Sequence, residues 1–403
     1  MLGEYLLREF DIIIFGATGS TGRLASRYLT SRSHADLRIA IAGRNASKLV
    51  KLQSECDIPP GCLVVDVENQ SAVDKVVEKG ALIFSCAGPF VECGETVVAA
   101  CAKLGRRYCD ITAETPWIRK MIDRYQKEAV ASGSCLVPSI GMDCIPADLT
   151  TMLAIEASRN QGIALDHLCL YVNFLPRWRF NGSTLLSMLA IANDCGGKWF
   201  FDADILIPEP NWPRRPVRHR GPYYDPVLGA WSCVSPFAAV NSAYVEFSQY
   251  LRKGSAKENL PAFSFEERLV AGKGFAGLAL SYRDALDLGA FRFLCRSAEG
   301  RRFLRWLAPP RGSSRTLTER MLGFFQAKLV GREQGKAKLL VRFEGQGDPG
   351  NEFTIRVASE IAKQLLRSNL GAKSGFMTAS TALGNELVDC MKSAEFFIDV
   401  ATI

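Results

Sequence analysis

Gly16, Gly19 and Gly22 stand three residues apart, directly after the apolar run Ile12-Ile-Ile-Phe15 and directly before a helical pattern that begins at Leu24. Strand, glycine turn and helix in that order form the setting in which such glycines bind a dinucleotide. Gly16 allows the tight turn, Gly19 carries no Cβ to obstruct a pyrophosphate, and Gly22 lets the helix lie close to the sheet. The phosphates would then rest on unpaired N–H groups at the helix N-terminus, where the dipole favours negative charge. Thr18, Ser20 and Thr21 complete the loop as expected nucleotide contacts. The next apolar strand ends in Gly43-Arg44-Asn45, with Lys48 one helical turn further on. An acidic residue there would accept the ribose hydroxyls, whereas a guanidinium suits a 2′-phosphate through two parallel charge-assisted hydrogen bonds. Arg44 and Asn45 are therefore expected against the adenosine half, and NADP(H) is expected over NAD(H). A plain strand-to-helix turn with a solvated Arg44 is the competing reading.

Further along, three segments fall where an open parallel sheet places its ligand, beyond the C-terminal ends of the strands. In the first, Ser85-Cys86-Ala87-Gly88-Pro89-Phe90, small residues let the backbone approach a cofactor, so Cys86, Ala87, Gly88 and Pro89 join the expected cofactor contacts. The others are Asp110-Ile-Thr112-Ala-Glu114 and Ser139-Ile-Gly-Met-Asp143-Cys-Ile-Pro-Ala-Asp148. Asp143 lies in a glycine turn and is a candidate to line the site. Asp148 and Glu114 read equally well as helix caps. Cys86 and Cys144 read as buried thiols rather than nucleophiles, because no histidine stands ready to activate them.

The elements that must position these residues alternate. Strands are expected near 11–16, 37–42, 62–66, 81–86, 107–111 and 134–138, and helices near 21–31, 46–54, 70–78, 93–104 and 116–132. That alternation predicts an α/β fold, a Rossmann-type doubly wound parallel sheet covered by helices on both faces. From about Leu149 the rhythm changes to a second, α+β domain. It has a helix over 149–161, a strand over 168–174, a helix over 185–195 and a strand over 338–344. The proline- and tryptophan-rich stretch 207–236 is expected to be irregular. Helices over 353–366 and 381–393 close the chain, giving expected domains of 1–148, 149–350 and 351–403.

Composition narrows the function classes. With 403 residues, the chain is long enough for two domains. No signal peptide is evident, and no window reaches about 18 consecutive apolar residues, so no conventional span is expected. Thirteen dispersed cysteines suit reduced thiols in a cytoplasmic protein. His34, His167 and His219 are not at ligand spacing, and no metal site is expected. The net charge of +7 gathers partly between Arg292 and Arg320, where Phe291, Phe293, Leu294, Phe303, Leu304, Trp306 and Leu307 alternate with arginines. Residues 291–311 therefore read as a basic amphipathic stretch. It can make peripheral membrane contact, dock an acidic carrier, or pack its apolar face in the core. Nucleic acid is not expected, since no binding motif accompanies the charge.

Taken together, the segments resemble the saccharopine dehydrogenase-like oxidoreductases, including the trans-acting enoyl reductases. The matching stretches are Asp11 to Arg23, Ile41 to Asn45, Cys86 to Phe90 with Gly94-Glu95, Tyr108 to Glu114, Gly141 to Asp148, and Gly347 to Gly350. The resemblance is strong over about the first 150 residues and weak beyond. It implies a Rossmann domain with an inserted α+β substrate domain, a last segment packing back on the first domain, and NADP(H)-linked reduction. The chain departs from the family pattern at Ser20, at Ala113-Glu114 and at Met142 and Cys144, all around the expected site. The reaction expected is reduction of an activated double bond in an apolar or carrier-bound acyl substrate, such as an enoyl thioester. Thr112 and Ser139 would donate hydrogen bonds to the enolate, and Asp143 would supply the proton. Two alternatives remain: an imine-reducing enzyme that would need arginines such as Arg177 and Arg179, and a non-catalytic nucleotide-binding protein acting at a lipid surface.

Overall fold

The computed structural model describes residues 8–175, 182–195, 202, 205–209, 212, 218–256, 263–308 and 323–403. Its first part runs β1 (Phe10–Phe15), α1 (Ser20–Leu29), β2 (Ile39–Gly43), α2 (Ala46–Ser54), β3 (Gly61–Val64), α3 (Gln70–Glu78) and β4 (Gly80–Ser85). It continues through α4 (Phe90–Cys93), α5 (Glu95–Leu104), β5 (Arg107–Asp110), α6 (Thr115–Ser132) and β6 (Cys135–Val137). Every pairing among these strands is parallel, in the order β3-β2-β1-β4-β5-β6. Ile12, Ile13, Ile14 and Phe15 of the central strand are wholly buried, as a strand covered on both faces requires. The strand order reverses between β1 and β4, which opens a crevice at their C-terminal ends.

Beyond β6 come α7 (Ile145–Gln161), β7 (His167–Leu175), α8 (Gly182–Asp194), β8 (Tyr223–Asp225), β9 (Ala230–Val234) and α9 (Ala238–Ala256). They are followed by β10 (Ser264–Gly272), α10 (Gly274–Arg296), α11 (Ala298–Leu307), β11 (Phe324–Glu333) and β12 (Lys336–Gln346). With β14 (Phe397–Thr402) these strands form a second seven-stranded sheet, β14-β12-β11-β7-β10-β9-β8. It is mixed: β7 and β10 run parallel and the other pairs antiparallel.

Two expectations need correction. The stretch 207–236 is not irregular throughout, because β8 and β9 form a hairpin at the sheet edge, paired through β9 with the inner strand β10. Its short strands hide among prolines and tryptophans. The expected helix over 381–393 is two helices, α13 (Ala379–Leu383) and α14 (Asn385–Ser393), broken at Gly384 with φ of 57°. The basic apolar stretch from 291 continues a helix, α10, that starts at Gly274.

The last segment serves both sheets. α12 (Thr354–Arg367) packs on α1, β4 and β5, and β13 (Gly375–Phe376) pairs in parallel with β6 as a seventh strand of the first sheet. β14 instead pairs with β12. One apolar core runs continuously from Ile12 and Ile14 in β1 to Val341 and Phe343 in β12. The two sheets therefore hold the crevice between them as a packed unit.

Candidate active site

The glycine loop is built by close backbone approach. Gly16 has φ of 70°, and a Cβ there would lie 2.7 Å from the Ala87 backbone. A Cβ on Gly22 would lie 2.2 Å from the Gly16 carbonyl oxygen. These two glycines thus clamp α1, the loop and the turn after β4 together. Gly19 is the N-cap of α1, and no side chain caps the helix. Its first-turn N–H groups are left to an external acceptor.

In front of this loop lies a cavity of about 470 Å³. Thr18, Gly19, Ser20 and Thr21 form one wall, with Lys48 at its edge. Cys86, Gly88 and Pro89 form the floor, and Ile111 to Glu114 follow from the end of β5. The far wall comes from the second domain and is largely apolar: Leu186, Met188 and Ile191 of α8, with Thr184 and Ser187 among them, then Phe237 and Val240 at the start of α9. α9 is anchored over β6 by the Tyr244 hydroxyl, which donates to the Pro138 carbonyl at 2.6 Å. Asp148 secures the same helix. Its carboxylate accepts from the Ser248 hydroxyl at 2.6 Å and from the Ser380 N–H at 2.8 Å. Asp148 therefore does not cap its own helix: α7 starts at Ile145, which sets Asp148 inside the first turn and leaves its carboxylate to α9 and α13.

Four carboxylates gather around the cavity, and all are pushed upward. Asp110 rises to about 6 through burial, although it accepts from the Thr112 N–H (2.9 Å), the Ser139 N–H (2.8 Å) and the Tyr108 hydroxyl (2.8 Å). Glu114 rises to about 7 through burial, against hydrogen bonds from the Phe90 N–H at 3.0 Å and the Val91 N–H at 2.7 Å. It thus caps α4, in another segment, rather than its own helix. Glu267 on β10 rises to about 7 through burial, while accepting from Ser235 and Asn241. Asp143 rises to about 6 through burial alone and accepts no hydrogen bond from any described residue. Among the four, only Asp143 reaches the cavity without being committed to the protein.

Residues 12–137 match the saccharopine dehydrogenase NADP binding domain. A trans-acting enoyl reductase of Mycobacterium leprae is 27% identical over 416 residues, covering 96% of each chain. One of Mycobacterium ulcerans is 26% identical over 410 residues, covering 94% of this chain and 95% of that one. The nucleotide-binding part of the chain therefore matches the saccharopine dehydrogenase-like NADP-binding family, and the chain is similar to these enoyl reductases over nearly its whole length. The fold is likewise that of saccharopine dehydrogenase (L-Glu forming) from Saccharomyces cerevisiae, at a TM-score of 0.55 and 14% identity over 98% of this chain and 100% of that one. It is an oxidoreductase family with a nucleotide-binding domain, and no helix among the described residues is long and apolar enough to cross a membrane.

Against the family pattern, the expected site residues divide into three groups. Thr18, Gly19, Ser20, Thr21, Cys86, Gly88 and Pro89 line the cavity together with Thr112 and Asp143. Gly16, Gly22 and Ala87 sit one layer behind, as the packing of the loop. Ser139 is also behind, buried with φ of 62°, its N–H held by Asp110. At the end of β2, Arg44 is exposed and paired with no described residue, while the Asn45 carboxamide caps α2 by accepting from the Lys48 N–H at 2.9 Å. The thiols of Cys86 and Cys144 are pushed well up by burial. Arg177 and Arg179 lie outside the described residues.

The apolar wall from α8 and α9 escapes the sequence reading. Its one signal is Leu185-Leu-Ser-Met-Leu-Ala-Ile191, apolar on nearly every side, which marks a helix covered from both directions. A second group also forms only in the fold. His167, His219 and Glu266 bring their ligand atoms within 4.8 Å of one another. The contacts are hydrogen bonds to Glu266 Oε1, of 2.9 Å to His167 Nε2 and 2.7 Å to His219 Nδ1, with the Arg268 guanidinium 3.7 Å from the other oxygen. Both imidazoles thus converge on Glu266, while His167 Nδ1 is buried without a hydrogen-bond partner among the described residues.

Proposed function

We propose that this chain is an NADPH-dependent reductase of an activated carbon–carbon double bond, acting on an enoyl thioester or a related lipid- or polyketide-type intermediate. The observation that carries the reading is the cavity: largely apolar on its far side, open to the nucleotide loop, and holding one uncommitted carboxylate that burial raises to about 6. The full-length relatives named trans-acting enoyl reductases support the same reaction class.

The loop suits a dinucleotide, with Gly16 and Gly22 where a Cβ would clash and α1 uncapped. Arg44 follows β2 and Lys48 lies in the first turn of α2, and the segment 43–48 carries no carboxylate to take ribose hydroxyls, so the 2′-phosphate of NADP(H) is the better fit. When bound, the nucleotide supplies a hydride for the β-carbon of the substrate. The protein must then steady the enolate oxygen and protonate the α-carbon. Thr112 Oγ1 accepts from the Glu114 N–H at 3.0 Å and keeps its own proton for an acceptor in the cavity. Protonated Asp143 delivers the proton. Ser139 acts as a positioning residue, holding Asp110 and through it the Thr112 turn.

An amino-acid dicarboxylate substrate would require convergent cations, and among the described lining residues the cavity offers Lys48 alone. The apolar side chains of α8 and α9 in the wall favour an acyl ligand. A reducing, cytoplasmic compartment goes with this reading, since the thirteen cysteines are dispersed along the chain. The test is spectrophotometric NADPH oxidation over a panel of enoyl thioesters and imines. Turnover with enoyl thioesters that Asp143→Asn abolishes supports the reading, and turnover confined to imines overturns it.

A further inference from the structure

α10 and α11 turn outward a surface that the cavity does not use. α10 exposes Phe275, Tyr282, Leu286 and Phe293 to 84, 56, 72 and 72%. Spacings of seven, four and seven residues align all four along one line of the helix. α11 adds Trp306 at 78%, Leu307 at 55% and Phe303 at 49%, with the rings of Phe303 and Trp306 stacked 6.1 Å apart. Scattered single apolar residues are ordinary on a surface, but seven large ones on consecutive helices form a patch that calls for an occupant.

Charge selects between the occupants. From Arg292 to Leu307 the chain carries five arginines and one acidic residue, Glu299. Arg296, Arg302 and Arg305 are exposed beside the apolar side chains. A two-fold contact with a second copy would set this arginine cluster against itself or beside itself. Anionic headgroups complement it, and exposed Phe, Leu and Trp beside arginine match the boundary between headgroups and acyl chains. Position adds to the argument, because α8 packs against both α10 and α11 and also forms the apolar wall of the cavity.

We propose that α10 and α11 dock the protein on an anionic phospholipid surface, with the Phe275–Phe293 line and the Phe303–Trp306 pair inserted at the acyl boundary. Docking stands independently of the reaction. Only its use, bringing an apolar acyl substrate to the α8 wall, rests on the reductase reading.

The experiment is flotation of the full chain with phosphatidylcholine vesicles, with and without phosphatidylglycerol. Retention on the anionic vesicles is expected, weakened by salt and by Arg302→Gln with Arg305→Gln. Phe293→Ser with Trp306→Ser is expected to weaken binding roughly tenfold or more, with melting temperature and NADPH binding unchanged, which shows that the variant folds. Absence of the unsubstituted protein from anionic vesicles overturns the proposal, as does full retention of the doubly apolar-depleted variant. A dimer in sedimentation that the same variant converts to monomer would assign the patch to a second copy and also overturn it. NADPH turnover, measured separately, reports on the reductase reading without touching this result.

Discussion

Glu266 and Glu267 are neighbours on β10, yet they sit in opposite electrostatic worlds. Successive side chains of a strand point to opposite faces. Glu266 meets His167 and His219: burial would raise its carboxyl, but those hydrogen bonds outweigh it and hold it down to about 2. Glu267 faces Ser235, Asn241 and the charge of Asp143, and burial raises it to about 7. The same contrast separates two regions of the molecule. Away from the cavity, Glu266 has two imidazoles to hold its charge and contributes stability. Around the cavity Asp110, Glu114, Asp143 and Glu267 are all raised, and the fold gives up stability there to keep protonatable groups beside a ligand.

The largest effect should come from the uncommitted member of the group. Asp143→Asn keeps shape and hydrogen-bonding capacity but cannot release a proton. Turnover should fall roughly 100-fold or more, the usual contribution of a positioned acid, while NADPH binding stays the same. Steady-state kinetics beside a nucleotide titration checks this.

The neighbouring glutamates offer the sharpest test of the contrast, since their substitutions should move stability in opposite directions. Glu266 is depressed, so its contribution is present above its ordinary value of 4.5 and is lost as pH falls toward about 2. Glu266→Gln at pH 7 should therefore destabilise by about 3 kcal/mol. Glu267 is raised, so its contribution is present below 4.5 and is lost as pH rises through about 7. Glu267→Gln at pH 8 should stabilise by up to about 3 kcal/mol. Urea unfolding of both variants at the two pH values decides it, and equal signs would break the comparison.

Smaller effects are expected at the adenosine end. Arg44→Ala should weaken NADPH binding about tenfold, in line with an exposed charge-assisted contact, and leave NADH binding unchanged. Asn45→Ala removes the cap of α2 and should cost about 1 kcal/mol of stability, with little change in nucleotide affinity.

The nucleotide half was legible because its signals are local. Three glycines at fixed spacing, an apolar run before them and Gly43-Arg44 after the next strand all lie within a few turns of chain. The reductive chemistry was less legible because it depends on what fails to meet. Asp143 matters because no described residue pairs with it, and sequence spacing cannot show an absence of partners. Glu114 and Asp148 read as caps, and they do serve helix starts, but of α4 and α13, helices distant in sequence. The His167–Glu266–His219 group likewise joins residues 99 and 47 positions apart, which only the pairing of β7 with β10 and the approach of the 219 segment bring together.

The central claim is that Asp143 delivers the proton in an NADPH-linked reduction of an enoyl thioester. The most direct measurement is the pH dependence of that turnover in the unsubstituted protein and in Asp143→Asn. Since the protonated form is the donor, turnover should fall as pH rises through about 6, and the variant should be slow with that dependence gone. Turnover in Asp143→Asn at the unsubstituted rate with the same pH profile would contradict the account.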